Sequence, residues 1–339
     1  MEHRKRTLEG LAVTRPWVDR RVLVTGATGI VGSWLTREMV DRGAYTVALV
    51  RDADPQSELL RSGTIDRCSV VSGSLEDFST VHRAVVEHEI DTVVHLGAQT
   101  IVGAARRSPT ATFASNIQGT WNVLEAARLH ADLVSAVVVA SSDKAYGTSA
   151  VLPYTEDMPL VGEGPYDVSK SCTDLLARSY ALTYGTPVAI ARCGNIYGGG
   201  DLNWSRIVPG TIRWLLHGEQ PVLRSDGTFL RDYVHVDDVV SAYVALAEGL
   251  DDPANVGEAF NFSDESPLAV REIYDAVCQA TVGHAVEPVV LGQAAGEIHD
   301  QYLASEKARN RLGWSPAVGL EEGLARTVAW YRDLFGGEQ

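Results

Sequence analysis

The stretch that most restricts how this chain can fold is Gly26-Ala27-Thr28-Gly29-Ile30-Val31-Gly32. The apolar run Arg21 to Thr25 before it reads as a short strand. An amphipathic helix is expected from Ser33 to Asp41, closed at Gly43, and Thr46 to Val50 supplies the next strand. Strand, glycine turn, helix and strand at this spacing make a parallel βαβ unit. Gly26 permits the tight turn, Gly29 lets a pyrophosphate approach the backbone, and Gly32 lets the helix pack close to the sheet. Phosphates would lie on the helix N-terminus, where free amides and the macrodipole favour anions. Gly26, Thr28, Gly29, Ile30 and Gly32 are therefore the expected dinucleotide contacts.

The alternation continues. Strands at Ser69 to Ser72, Asp91 to Leu96, Val134 to Val139 and Val188 to Arg192 are separated by helices at Phe78 to Glu89, Asn116 to His130 and Tyr166 to Tyr184. This predicts an α/β fold, a Rossmann-like doubly wound parallel sheet, over residues 19–192 plus 231–250. Residues 193–230 plus 251–339 alternate irregularly and are expected to form a smaller C-terminal substrate-binding cap. They hold helices near Leu268 to Thr281 and Leu320 to Phe335 and a strand near Val286 to Leu291. Asp237-Asp238 reads as the cap of a helix Val239 to Glu248, and His235 as a structural hydrogen-bonder. The first 18 residues read as an extension before the fold.

In an open α/β sheet ligands bind beyond the carboxyl ends of the strands. The second strand ends at Arg51-Asp52. An acid there would hold a ribose 2′-hydroxyl and an arginine a 2′-phosphate, so Arg51 tilts the cofactor toward NADP while Asp52 keeps NAD open. Ser74 and Leu75 follow the third strand, where an adenine can be contacted. Leu96, Ala98 and Gln99 surround a small-residue turn that can pass beneath a cofactor. The fifth strand breaks into Ser141-Ser142-Asp143-Lys144, which sets hydroxyls, a carboxylate and an amine where ligands bind. An isolated Ser-Asp-Lys is more often a solvated surface pair; here it follows a nucleotide fingerprint. Tyr166 and Lys170 are four apart and share one helical face. A nearby ammonium would stabilise phenolate and make Tyr166 a base toward a substrate hydroxyl, with Ser142 hydrogen-bonding the reacting group.

Composition narrows the partners. The formal charge of −15 argues against nucleic acid or an anionic membrane surface. An acidic protein that binds an anionic ligand needs local donors, and Arg206, Arg224 and Arg231 in the irregular region could hold a diphosphate. Four cysteines without a CxxC pair fit a reducing cytoplasm, with no disulfide framework and no metal site. The apolar runs are strand-length, and no apolar core follows the basic residues Met1 to Arg6, so neither a membrane span nor a secretory signal is expected.

TGATGIVG, HLGAQ, NIQGT, SSDKAYG, YDVSK, RCGNIYGGGD and RDYVHVDD occur here in the order found in extended short-chain dehydrogenases/reductases acting on nucleotide sugars. Within that superfamily the chain resembles the 4,6-dehydratases. GGGDLNWSRIVPGTIR and the Asp-Lys pair are most similar to the CDP-glucose branch. The resemblance implies Ser142, Tyr166 and Lys170 for redox with tightly bound NAD or NADP, and Asp143 and Lys144 for dehydration. It further implies Asn195, Arg206, Leu223 and Arg231 at a nucleotide-diphosphate hexose, and a homodimer. The implied reaction oxidises C4, eliminates water across C5–C6 and returns the hydride to C6. Asp143 as acid would need a raised pKa and Lys144 as base a lowered one. The chain departs from the pattern at Gly97, where alanine is usual, and at Ser74, where an aspartate usually meets the adenine. Lys144 also stands where dehydratases for other nucleotides carry glutamate. A 4-epimerase would share the redox residues without needing the Asp-Lys pair. A decarboxylase would need a carboxylate-bearing substrate, and a non-catalytic NAD(P)-binding sensor would not need Ser142, Tyr166 and Lys170 intact.

Overall fold

Strands that are apolar on both faces belong in a parallel sheet covered on both sides. The computed structural model describes residues 15–293 and 297–336. In chain order its main elements are β1 (Arg21–Thr25), α1 (Ile30–Asp41), β2 (Tyr45–Val50), β3 (Ser69–Ser72), α2 (Phe78–Glu87), β4 (Thr92–His95), α3 (Gly119–Leu129), β5 (Ala136–Ala140), α4 (Pro165–Tyr184) and β6 (Val188–Cys193). Then follow α5 (Ile207–Leu216), α6 (Val236–Gly249), β7 (Ala259–Phe262), α7 (Val270–Val282) and α8 (Leu320–Gly336). The strands pair in the order β7-β6-β5-β4-β1-β2-β3, and every pair is parallel.

Successive residues of a strand face opposite sides. Val22 and Val24 pack with α1 and α6, while Leu23 packs with α2 and α3. Full burial of such side chains is worth roughly 1.5–3 kcal/mol each, so both cores fix the register together. The strand order reverses between β1 and β4, which is where doubly wound sheets open a ligand crevice. The glycine turn lies at this crevice and admits no side chain at Gly26 or Gly32. Gly26 has a φ of +68°, and a Cβ on it would come 2.7 Å from the Gly97 amide nitrogen. A Cβ on Gly32 would lie 2.0 Å from the Gly26 carbonyl oxygen.

The cap has its own core, built by Val208 and Ile212 of α5, Ile273 and Val277 of α7, and Leu324 and Val328 of α8. A small sheet beside it runs Leu268–Ala269, Leu230–Arg231, Asp300–Gln301, with Leu230–Arg231 in the middle.

Four expectations change. Ala259–Phe262 comes from the stretch assigned to the cap, yet it is the seventh strand of the main sheet, paired with β6. The helix α6 before it completes a further βα unit, but the strand itself is only four residues long. Trp17 belongs to the fold: it is buried in the α1–α6 core and its indole N–H donates to Glu248 (2.6 Å). Residues 1–14, with the basic start, lie outside the described residues. Asp238 does not cap α6, because its carboxylate accepts from the amides of Ala317 and Val318 (2.8 and 3.0 Å). His235 is the N-cap instead, with its ring accepting from the Asp237 amide. Lastly, the helix expected from Asn116 opens with a π-helical turn, Ala114–Gln118, before α3.

Candidate active site

Strand ends of the sheet and residues of the cap enclose a cavity of about 1010 Å³. Gly26, Thr28, Gly29, Ile30 and Gly32 line it, as do Arg51, Leu75, Leu96 and Ala98. The same wall takes in Ser142, Asp143, Lys144, Tyr166 and Lys170, and, toward the cap, Asn195, Arg206, Leu223 and Arg231. Two expected contacts are not brought to the wall. The Ser74 hydroxyl is turned to Glu76, which lines the cavity in its stead. Gln99 is fixed through its backbone: its N–H donates to Asn116 Oδ1 (2.7 Å) and its carbonyl accepts from Asn116 Nδ2 (3.0 Å).

Asn116 therefore matters more than its sequence position suggests. Its Nδ2 also reaches Ser169 Oγ (2.9 Å), and that hydroxyl donates to the Tyr166 carbonyl (2.7 Å). One residue of a widened helical turn thus ties the end of β4 to the start of α4. Such π-turns recur at functional sites because they re-aim a side chain. Behind it, Thr25 Oγ1 accepts from the amides of Leu96 and Gly97 (both 3.1 Å) and meets His95 Nδ1 (2.8 Å). Burial, then the Lys170 charge, hold the His95 pKa down to about 3, so this histidine is a neutral strut and not an acid or base.

The residues at the glycine turn suit a dinucleotide. Side chains are excluded at Gly26 and Gly32, α1 begins at Ile30 with free amides, and a carboxylate stands at the end of β2. Arg51 donates from Nε to Asp52 Oδ2 (2.7 Å), an exposed pair. An exposed arginine paired with the neighbouring carboxylate does not by itself favour a 2′-phosphate, and the lean toward NADP is not upheld.

At the end of β5, Ser142 caps the tight turn Asp143–Tyr146 by accepting from the Lys144 amide (3.2 Å). Its hydroxyl donates to Asp143 Oδ1 (2.9 Å) and stands near enough to Tyr166 to favour its phenolate. The Lys144 ammonium donates to Gln301 Oε1 from the cap. Burial raises the Asp143 pKa more than the Lys144 charge lowers it. Burial also lowers the Lys144 pKa, against the pull of Asp143 and with the help of Arg231. Burial thus favours the uncharged form of both partners, a carboxylic acid beside an amine.

The redox residues differ from expectation in one respect. Burial pushes Tyr166 up to about 12, partly offset by Ser142 and then by the Arg206 charge. Burial brings Lys170 down to about 8, and its amine donates to the Ala140 carbonyl (2.7 Å). The phenol therefore stays above its ordinary value, because desolvation of the phenolate outweighs the groups that stabilise it. Arg206 is held by Asp201 (3.0 Å), and Arg231 by the carbonyls of Leu230 and His299 (2.7 and 2.6 Å).

Sequence reasoning missed a buried network behind the turn. Arg192 of β6 makes two hydrogen bonds to Asp174 of α4 (2.7 and 2.9 Å) and a third to the Tyr146 hydroxyl (2.7 Å). Tyr146 donates in turn to Asn261 Oδ1 (2.7 Å) and stacks on Tyr154. A lone arginine in the apolar run Val188 to Cys193 was the available signal, since a charge buried in a sheet needs a partner. Gln301 gave no signal at all.

The fingerprint turn, the switch-point cavity and the Ser142, Tyr166 and Lys170 set are those of an extended short-chain dehydrogenase/reductase. More particularly, the chain belongs to the NAD dependent epimerase/dehydratase family, which it matches over residues 22–262. It is 30% identical over 336 residues to the CDP-glucose 4,6-dehydratase of Salmonella typhimurium, covering 95% of this chain and 93% of that protein. Among solved structures, a dTDP-glucose 4,6-dehydratase from Streptomyces venezuelae with NAD bound superposes with a TM-score of 0.83 at 30% identity (94% and 98% of the two chains). UDP-glucose 4-epimerase from Thermotoga maritima does so with a TM-score of 0.84 at 28% identity (93% and 99%).

Proposed function

We propose that the protein is an NAD-dependent nucleotide-sugar 4,6-dehydratase, of the CDP-glucose type, that converts a nucleotide hexose to its 4-keto-6-deoxy derivative. The observation that carries this reading is the Asp143–Lys144 pair beside Ser142 and Tyr166, its carboxyl buried and its amine half-buried. A 4-epimerase has no use for a second acid and base, and drawing two ionisable groups out of water is costly unless they serve chemistry.

Gly26, Thr28, Gly29, Ile30 and Gly32 would hold the pyrophosphate, Asp52 the adenosine ribose, and Leu75, Leu96 and Ala98 the remaining surface. When bound, the nicotinamide supplies redox capacity by accepting a hydride from C4 and returning it at C6. Tyr166 takes the O4 proton, steadied by Ser142 and the positive charges of Lys170 and Arg206. The 4-ketone so formed acidifies C5–H. Lys144 takes that proton as Asp143 gives one to the departing C6 hydroxyl, so the C6–O bond breaks, water leaves and a C5=C6 bond forms. Lys144 then returns its proton to C5. One proton remains on Tyr166 and one is missing from Asp143, and the Ser142 hydroxyl, bonded to Asp143 on the Tyr166 side of the cavity, would pass the proton and reset the site.

Arg206 and Arg231 would meet the diphosphate, and Asn195 and Leu223 the rest of the sugar nucleotide. Their guanidinium groups are held in place before any ligand arrives, which lowers the ordering cost of binding. In this reading residues 19–192 with 231–250 carry the cofactor, and the cap, less the strand Ala259–Phe262, carries the sugar nucleotide. The cytoplasm supplies such substrates and preserves free thiols like the four found here.

The deciding experiment incubates pure protein in D2O with CDP-, GDP-, UDP- and dTDP-hexoses. The expected product has lost one water and carries solvent deuterium at C5, forms fastest from the CDP sugar, and NAD is released when the enzyme is denatured. A 4-epimer with its original C5 hydrogen would replace this reading with the epimerase.

The homodimer has a candidate surface. Trp121 and Leu129 on α3 and Leu175, Leu182 and Tyr184 on α4 are exposed apolar side chains on helices that pack side by side. Leu175 and Leu182 are two turns apart and share a face, which a second copy would cover by antiparallel helix packing. Leu182 is 73% exposed, so its replacement leaves the monomer core untouched. Leu182→Glu is expected to halve the mass measured by light scattering; an unchanged dimer mass would move the interface elsewhere.

A further inference from the structure

The chain has four lysines among 29 basic residues, Lys5, Lys144, Lys170 and Lys307, and two of them line the cavity. Those two are held differently. Lys170 donates to a carbonyl of the sheet, whereas Lys144 donates to a side chain of the cap, Gln301 Oε1. Gln301 is 1% exposed and lies on the strand Asp300–Gln301, in register with Arg231 on the neighbouring strand. Its amide nitrogen is buried and has no hydrogen-bond partner among the described residues. A glutamine kept for packing alone would be better replaced by an apolar side chain, because a stranded donor carries its full desolvation penalty.

We propose that Gln301 is a positioning residue for Lys144, its neutral carbonyl holding the amine at the reaction centre in both protonation states without adding a charge that would trap the ammonium. The inference rests on the dehydratase reading of the site. As a base, Lys144 must present its lone pair to the substrate. An N–H donated to Oε1 leaves that lone pair free, and the same bond persists once the nitrogen has taken a proton. Charge is what must be avoided. Asp143 from the same turn, Asp167 from α4 and Glu297 from the cap already draw Lys144 toward the ammonium, and burial and Arg231 oppose them. A further carboxylate in contact would shift the balance by about 1–3 pH units. A carbonyl fixes the amine and leaves the balance in place.

The test uses the full-length enzyme with lysine labelled at 13Cε and 15Nζ, where few signals compete and Lys144→Arg identifies the one of interest. Gln301→Glu is expected to raise the Lys144 titration midpoint by about 1–3 pH units, and to carry the acid limb of the kcat profile up with it. Gln301→Met keeps the shape and removes the acceptor, so it should lower kcat about 10–100-fold with KM within about twofold, a loss of positioning and not of binding. A Lys144 midpoint unmoved in Gln301→Glu, or full kcat in Gln301→Met, overturns the proposal. The midpoint is read without turnover, so it separates the two ideas. A shifted Lys144 in an enzyme whose wild type dehydrates no nucleotide hexose would uphold the contact and reject the dehydratase reading.

Discussion

Lys144→Ala is expected to lower dehydration by about 10²–10⁴-fold, the usual contribution of one positioned proton-transfer group. The variant keeps Ser142, Tyr166 and Lys170, so oxidation at C4 should survive. In rapid mixing with substrate, reduced-nicotinamide absorbance should then rise and persist in place of its normal decay. Asp143→Asn, which keeps the shape and cannot give a proton, should stall at the same stage. The double variant should be little worse than either single one, because acid and base act in one step. A pH signature accompanies the loss. The working state has Asp143 protonated and Lys144 neutral, which contains the same number of protons as the ion pair, and burial tilts the pair toward it. Acidification adds a proton to Lys144 and removes the base; alkalinisation takes the proton from Asp143 and removes the acid. The kcat profile should therefore be a bell whose two limbs belong to the pair as a unit. Loss of the acid limb in Lys144→Ala and of the alkaline limb in Asp143→Asn would assign them. Wild-type turnover in either variant would remove the pair from the mechanism.

What could be read from the sequence follows from how local each signal is. The glycine turn is legible because Gly26 and Gly32 answer to backbone geometry within seven residues, and a Cβ at either meets backbone atoms. The central strands are legible because both faces are buried and their middle residues are apolar. The Ser142-Asp143-Lys144 and Tyr166–Lys170 groups are legible because each sits at a strand or helix end whose place in a doubly wound sheet is known. Partnerships at long range are not legible. Gln301 meets Lys144 across 157 positions and lies in a short strand that no periodicity announces. Ser74 was misjudged because two residues on, Glu76 takes its hydroxyl. The pKa of Tyr166 was misjudged because spacing on a helix says nothing of desolvation, which here dominates. Ala259–Phe262 was given to the cap because four residues, even after the helix α6, carry too little pattern to name a strand.

Asp174→Ala should be the most damaging single change outside the cavity. Arg192 and Asp174 are 6% and 3% exposed and joined by two parallel hydrogen bonds, so removing the carboxylate leaves a guanidinium buried with only neutral partners. Breaking such a pair costs about 3–5 kcal/mol. Spread over the unfolding entropy of a chain this size, that is a fall in Tm of about 4–7 °C. Replacing both members by apolar residues of similar volume, Arg192→Met with Asp174→Leu, should recover most of the loss, since no charge is then stranded. Activity should not recover with it. Arg192 also fixes the Tyr146 hydroxyl and lies 4.8 Å from its ring, and Tyr146 closes the turn that carries Asp143 and Lys144. A stable double variant with kcat reduced about tenfold or more would show that the ion pair holds the acid and base in position. A stable double variant with wild-type kcat would confine the pair to holding β6 against α4.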